Sequence, residues 1–149
     1  MKSTINFKKP YIIAEIGSNF NQDYKLGCNL IRQAKNCGAN AVKFQLFKAK
    51  KLYPNNKKMF KIFKSIELDQ KMFLKFFDFA KKIGIDISAS VFDVASAKFL
   101  NNLKIKFNKI ASSEISNLKL LNFLAKTGKP IFLSTGMSNL EDIKQAVNI

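Results

Sequence analysis

The sequence predicts a parallel α/β sheet of the (β/α)8 TIM-type barrel, here only about the first five βα units. Three observations carry that prediction. Short apolar runs alternate five times with stretches of helical periodicity, the order that joins parallel strands through crossover helices. Several helical stretches open on Asp or Asn and close on Gly, as capped helices do. Hydrogen-bonding or charged residues recur at the carboxyl end of each apolar run, where a sheet does not require them. The first two observations fit an open doubly wound sheet equally well. The third favours the barrel, whose strand ends converge on one mouth. A complete barrel takes about 250 residues, so the 149 present would supply five of its eight strands.

In chain order, Tyr11 to Gly17 (YIIAEIG) reads as the first strand. Asp23 to Cys37 reads as a helix, with Leu26, Leu30, Ile31 and Ala34 at helical spacing and Gly38 as its C′ residue. AVKFQLF, from Ala41, is the second strand, and a polar, lysine-rich connection runs from Lys48 to Leu68. Leu68 to Gly84 then offers an Asp69 N-cap, an apolar stripe through Met72, Phe73, Phe76, Phe77 and Ala80, and a terminal glycine. Ile85 to Ser90 is a strand, Val94 to Leu103 a helix, Phe107 to Ser112 a strand, and Leu118 to Thr127 a helix stopped by GKP. Ile131 to Thr135 is the fifth strand, and Asn139 to Val147 a helix capped by Asn139.

The chain carries 26 Lys and Arg against 10 Asp and Glu, a formal charge of +16, and Arg32 is its only arginine. Lysines such as Lys57, Lys58, Lys81 and Lys82 fall where loops or helix exteriors belong, so most of the charge reads as a solvated face. A nucleic-acid protein would offer more arginine for bidentate contacts and a recognisable module, so nucleic acid is not the expected partner. Cys28 and Cys37, nine positions apart on one helix, fall on opposite faces and do not bridge. The chain has no histidine, which removes the commonest general base and metal ligand. With no run of 18 apolar residues and no leader pattern, the expectation is a cytoplasmic protein with no membrane partner.

The polar strand ends point to chemistry. Glu15 and Asn19 follow the first strand; Lys43 and Gln45 lie in the second, Ser88 and Ser90 in the third. Lys109, Ser112 and Glu114 belong to the fourth strand and its exit, and Ser134 and Thr135 end the fifth. Lys43 and Gln45 stand at i and i+2 of an apolar run, so both point to the same side of the sheet. A lysine withdrawn from water needs an anion to meet it. Two readings stay open. Glu15 pairs with Lys43 or Lys109 across neighbouring strands and satisfies them without a ligand. Alternatively the lysines, hydroxyls and carboxylates form a bed for a phosphorylated, carboxylated small molecule, with acid and base groups beside it. Ser88, Ser113 and Ser116 read mainly as turn or cap residues. A reading from a different class is a basic module that binds a polyanion through surface lysines, with steep salt dependence.

Four stretches taken together carry a resemblance. IIAEIGSNFNQD, GANAVKFQLFKA, NKIASSEISNLKLL and TGKPIFLSTGMSNLEDI resemble, in order and spacing, the amino-terminal half of the sialic acid synthase family, the phosphoenolpyruvate-dependent nonulosonate synthases. KIASSE followed some twenty residues later by GKPIFLSTGM is the most specific part, and the resemblance covers nearly the whole chain. It implies a (β/α)8 barrel followed by a small antifreeze-like domain. It implies condensation of phosphoenolpyruvate with an N-acylated hexosamine such as N-acetylmannosamine, with release of phosphate. A related reading is another phosphoenolpyruvate-using 3-deoxy sugar acid synthase on the same barrel. The resemblance places phosphoenolpyruvate near Lys43, Gln45, Ser90, Lys109, Ser112 and Ser134, and Glu15 and Glu114 as the catalytic carboxylates near the reacting carbons.

The resemblance further implies a divalent metal, Mn or Mg, whose histidine ligands lie in later barrel strands outside these residues, and a homodimer for the complete enzyme. With those strands and the terminal domain absent, the 149 residues by themselves are expected to be unstable and inactive. Two departures from the family pattern stand out. NFNQ replaces the usual NHNG, so that Phe20 takes the histidine position and Gln22 the glycine position, which bears on contacts to the sugar. Val91 stands where proline is usual and Ser113 where glycine is common.

Overall fold

The structure, a computed structural model, describes residues 9–149: five parallel strands in the spatial order β1-β2-β3-β4-β5 with helices between successive strands. The strands are β1 (Ile13–Gly17), β2 (Ala41–Leu46), β3 (Asp86–Val91), β4 (Asn108–Ile110) and β5 (Ile131–Leu133). The crossover helices are α1 (Tyr24–Asn36), α2 (Ala49–Leu52), α3 (Lys57–Ser65), α4 (Gln70–Ile83), α5 (Val94–Asn101) and α6 (Leu118–Ala125), and α7 (Leu140–Val147) follows β5.

Alternation along each strand gives the sheet two unlike faces. Val42, Phe44, Leu46, Ile87, Ala89, Val91 and Ile110 are buried in one core with Ile31 of α1, Phe73, Phe76 and Ala80 of α4, Leu100 of α5, and Leu120 and Leu124 of α6. The opposite face begins at the amino-terminal end as a small apolar cluster of Ala41 and Phe107 with Tyr11, Ile13 and Phe132. Phe107 meets Phe132 edge-on at 5.1 Å and Tyr11 at 6.0 Å, the arrangement that suits ring quadrupoles. Two residues further along these strands the same face turns polar.

The caps read from the sequence are formed. Asp23, Asp69 and Asn139 accept N–H groups at the starts of α1, α4 and α7, and Asn139 with Asp142 makes a capping box. Gly38 and Gly84 take positive φ just after α1 and α4. Cys28 is buried and Cys37 exposed, as opposite helix faces require.

The connection from Lys48 to Leu68 is not irregular: it holds α2 and α3. The helical period of α3 is carried by Met59, Phe63 and Ile66, which Lys57, Lys58, Lys61 and Lys64 and the exposed Phe60 and Ile62 obscure. Glu67 fastens it. The side chain is 8% exposed and accepts from Ala49 N–H at 2.9 Å and from Lys48 Nζ and Lys64 Nζ at 3.1 Å. Burial alone would raise the Glu67 pKa, but the Ala49 amide and the ammonium groups of Lys64 and Lys48 outweigh it and hold the carboxyl below its ordinary value. A depressed folded-state pKa adds stability above the unfolded value, near 4.5, and that stability is lost as pH falls through the folded value. Glu67→Gln should therefore lower stability by roughly 1 kcal/mol at neutral pH. Urea midpoints of variant and parent should converge as the pH falls below 4.5 and through the folded-state value, and a gap that persists in acid would refute this role for the carboxylate.

The fourth and fifth strands are shorter than the sequence suggests, because the chain leaves β4 directly into a 3-10 turn at Ser112–Glu114 and leaves β5 after Leu133. Phe20 departs more from expectation. Its side chain is fully buried and packs edge-on against Phe44 at 5.8 Å and Phe76 at 5.5 Å, so this position serves the core and presents nothing to a ligand. Gln22, at the family's glycine position, has φ +59°, in the left-handed region that costs a side chain roughly 1 kcal/mol. Gln22→Gly should raise stability by about 0.5–1 kcal/mol, read as a higher urea midpoint; an unchanged or lower midpoint would show that the turn is not strained.

Candidate active site

The polar half of the inner face forms by register. Glu15 lies beside Lys43 and Lys43 beside Ser88; one step on, Gln45 pairs with Ser90, Ser90 with Lys109, and Lys109 with Phe132. Glu15 and Lys43 therefore share one level of the sheet, and Gln45, Ser90 and Lys109 the next level toward the carboxyl ends. A cavity of about 340 Å³ opens there, lined by Ile13, Glu15, Lys43, Lys109, Phe132 and Ser134 among others. The apolar wall of Ile13 and Phe132 was not read from the sequence, although Phe132 and Ser134 alternate at i and i+2 just as Lys43 and Gln45 do.

Lys43 is 6% exposed, and its ammonium is met from within the chain: Glu15 Oε2 lies at 2.5 Å, and Lys43 Nζ donates to Ser90 Oγ at 2.8 Å. Of the two readings left open, the structural pairing of Glu15 is thus realised with Lys43. The carboxylate is the wetter partner, its side chain 53% exposed toward the opening. A kink in β1 between Glu15 and Gly17 turns the chain there; Gly17 has φ +56°, and a side chain at that position would crowd the Glu15 carboxylate.

Lys109 is different. Its Nζ donates to Ser134 Oγ at 2.6 Å and to the Ile110 carbonyl at 2.7 Å, and among the described residues no carboxylate forms an ion pair with it. Burial lowers its pKa, and the neighbouring Lys43 charge lowers it further against the weaker opposing pull of Glu15. Two ammonium groups share one carboxylate, so the cavity holds an excess positive charge held partly out of water, the condition that favours an anionic ligand.

The remaining sequence-selected residues are not part of the cavity lining. Gln45 is half-buried beside Gly17. Ser112 and Glu114 lie on the 3-10 turn after β4, and Glu114 Oε2 accepts from Asn117 Nδ2 at 2.9 Å, an arrangement that orders the start of α6. Neither lines the cavity. Ser88, read as a turn residue, is fully buried and donates to the Phe107 carbonyl, tying β3 to the strand beside it. Among the described residues no group of three or more acidic, Cys or His side chains could hold a metal ion.

Comparison with known proteins follows the same lines. A sequence profile of the NeuB family matches residues 30–149. The chain belongs to the NeuB family. Its NeuB relatives include the N,N'-diacetyllegionaminic acid synthase of Campylobacter jejuni, 40% identical over 95% of this chain and 47% of the relative. The N-acetylneuraminate-9-phosphate synthase of Mus musculus is 32% identical over 93% of this chain and 42% of the relative. The crystal structure of the N-acetylneuraminic acid (sialic acid) synthetase of Leptospira borgpetersenii, in complex with citrate, superposes with a TM-score of 0.88 at 33% identity, covering 93% of this chain and 48% of the other. The chain thus spans slightly under half the length of the NeuB relatives it matches. No described helix is long and apolar enough to cross a membrane.

Proposed function

We propose that this NeuB chain forms the phosphoenolpyruvate-binding part of a (β/α)8 synthase that condenses phosphoenolpyruvate with an N-acylated hexosamine, giving a nonulosonate and phosphate. The observation that carries the reading is the cavity lined by Lys43, Lys109, Ser134 and a single paired carboxylate, Glu15, with Ser90 accepting a hydrogen bond from Lys43. Phosphoenolpyruvate carries a phosphate and a carboxylate, the two groups that two ammoniums and two hydroxyls suit. In the proposed reaction the enol carbon bonds to the aldehyde carbon of the open-chain sugar. Water adds at the neighbouring carbon, and the C–O bond to phosphate breaks. Lys43 and Lys109 neutralise the anion, Ser90 and Ser134 orient the lysines and its oxygens, and Gln45 and Ser112 contact it from the rim. In this reading Glu15, half in water and paired with Lys43, holds the attacking water or takes its proton, and Glu114 serves the sugar side. A divalent metal, with ligands outside these residues, and a cytoplasmic homodimer complete the proposal.

The test is phosphoenolpyruvate binding by calorimetry to the protein as its source makes it. Lys109→Met should weaken binding roughly tenfold or more, since it removes a charge-assisted contact and leaves the fold's own ion pair intact. Unaltered affinity in that variant would sink the assignment.

A further inference from the structure

A second cleft, also about 340 Å³, lies at the opposite end of β3. Its apolar wall is Phe77 of α4 with Ile85 and Ile87, and its rim is Lys81, Lys104 and Lys106. We propose that this cleft is a second ligand site, for a small amphipathic anion: an apolar ring or short chain ending in a phosphate or carboxylate. It goes beyond the proposed synthase reaction and does not depend on it.

Four observations support it. The first is chemical composition. An apolar wall under three lysines and one carboxylate, enclosing a volume near the lower end of the range for small-molecule sites, fits a ligand with an apolar body and an anionic end. The second is the way the rim is built. In Leu103–Phe107 the residues alternate, with Ile105 and Phe107 buried, so Lys104 and Lys106 are both exposed beside the cleft. The third is charge. Asp86 is the carboxylate in the cleft, and it is already engaged by Lys106 Nζ at 2.9 Å and by the Tyr11 hydroxyl at 2.6 Å. Lys81 and Lys104 form no ion pair among the described residues, so the rim retains positive charge. Lys81 has a structural use as a cation in the last turn of α4, but Lys104 belongs to no helix and gains nothing of that kind. The fourth is position. The cleft is walled by α4, β3 and the α5–β4 connection, all interior units of the arc, so it does not arise from the free edges at β1 and β5. Along β3, Asp86 and Ser90 are about 13 Å apart, which separates the two sites.

The experiment titrates the whole protein, as its source makes it, with phenyl phosphate and with inorganic phosphate by calorimetry, phosphoenolpyruvate being held in excess to occupy the inner cavity. Phenyl phosphate should bind at least about tenfold more tightly than inorganic phosphate, because only it can use the apolar wall. The double variant Lys81→Glu/Lys104→Glu, confined to exposed side chains, should weaken phenyl phosphate about tenfold or more while leaving the circular dichroism spectrum and phosphoenolpyruvate binding unchanged. Three results would each overturn the proposal: equal affinity for the two phosphates, indifference of phenyl phosphate to the double variant, or loss of its binding in Lys109→Met, which would mean that it occupies the inner cavity. Failure of Lys109→Met to affect phosphoenolpyruvate would instead strike the synthase reading and leave this site untouched.

Discussion

Gly27→Ala is expected to destabilise the protein by about 2–4 kcal/mol, although alanine in a helix interior normally stabilises by about 1 kcal/mol. Gly27 is a buried residue of α1, and a Cβ there would overlap Cζ and Cε1 of Phe76 on α4. A flexible side chain would swing aside, but Phe76 has nowhere to go. Its ring stacks on Phe44 at 4.9 Å and on Tyr24 at 5.4 Å, with Phe20 edge-on, and it is fully buried. Relief requires α1 and α4 to separate, which would uncover the core between them. The measurement is the urea midpoint of Gly27→Ala beside that of an exposed Ala substitution in the same helix, such as Asn29→Ala. If Gly27→Ala is as stable as the parent, the close approach of the two helices is not rigid. The same packing accounts for Phe20, since a histidine there would place ring nitrogens without partners against the rings of Phe44 and Phe76.

Glu15→Gln should separate binding from turnover. In the unliganded cavity the Glu15 carboxylate competes with any anion for the Lys43 ammonium. Removing its charge leaves Lys43 with neutral partners only, so phosphoenolpyruvate should bind several-fold more tightly, while stability falls by about 1 kcal/mol, the exposure of Glu15 having limited what the pair contributes. If Glu15 handles the attacking water, turnover should drop about 100-fold despite the tighter binding. Calorimetry and steady-state rates on the whole protein read the two effects separately. Weaker phosphoenolpyruvate binding would refute the competition, and an unchanged kcat would confine Glu15 to a structural pairing.

Much of this was legible in the residues. Aspartate and asparagine caps, glycines at helix ends and the five apolar runs define elements whose causes lie within a few positions, so α1, α4 and the five strands follow from local chemistry. Where the period is diluted, reading fails: α3 hides behind its lysines, and the short 3-10 turn after β4 has no period to find. The polar residues that line the cavity, Glu15, Lys43, Lys109 and Ser134, stand out in the sequence because polar groups in apolar strands are costly, and that cost is visible in sequence.

What the sequence by itself determined is therefore the inventory: which strands, which caps, and which ionisable groups must face a common side. Only the tertiary structure decided the pairing among them. The register of β1 on β2 delivers Glu15 to Lys43 rather than Lys109, and the contact of β4 with β5 leaves Lys109 with Ser134 and a carbonyl. It also decided that Phe20 turns inward and that Lys104 and Lys106 border an apolar cleft. The physical reason is range. Caps and periodicity act within about one helical turn, whereas ion pairing, burial and cavity shape depend on residues brought together from 19 to 75 positions apart.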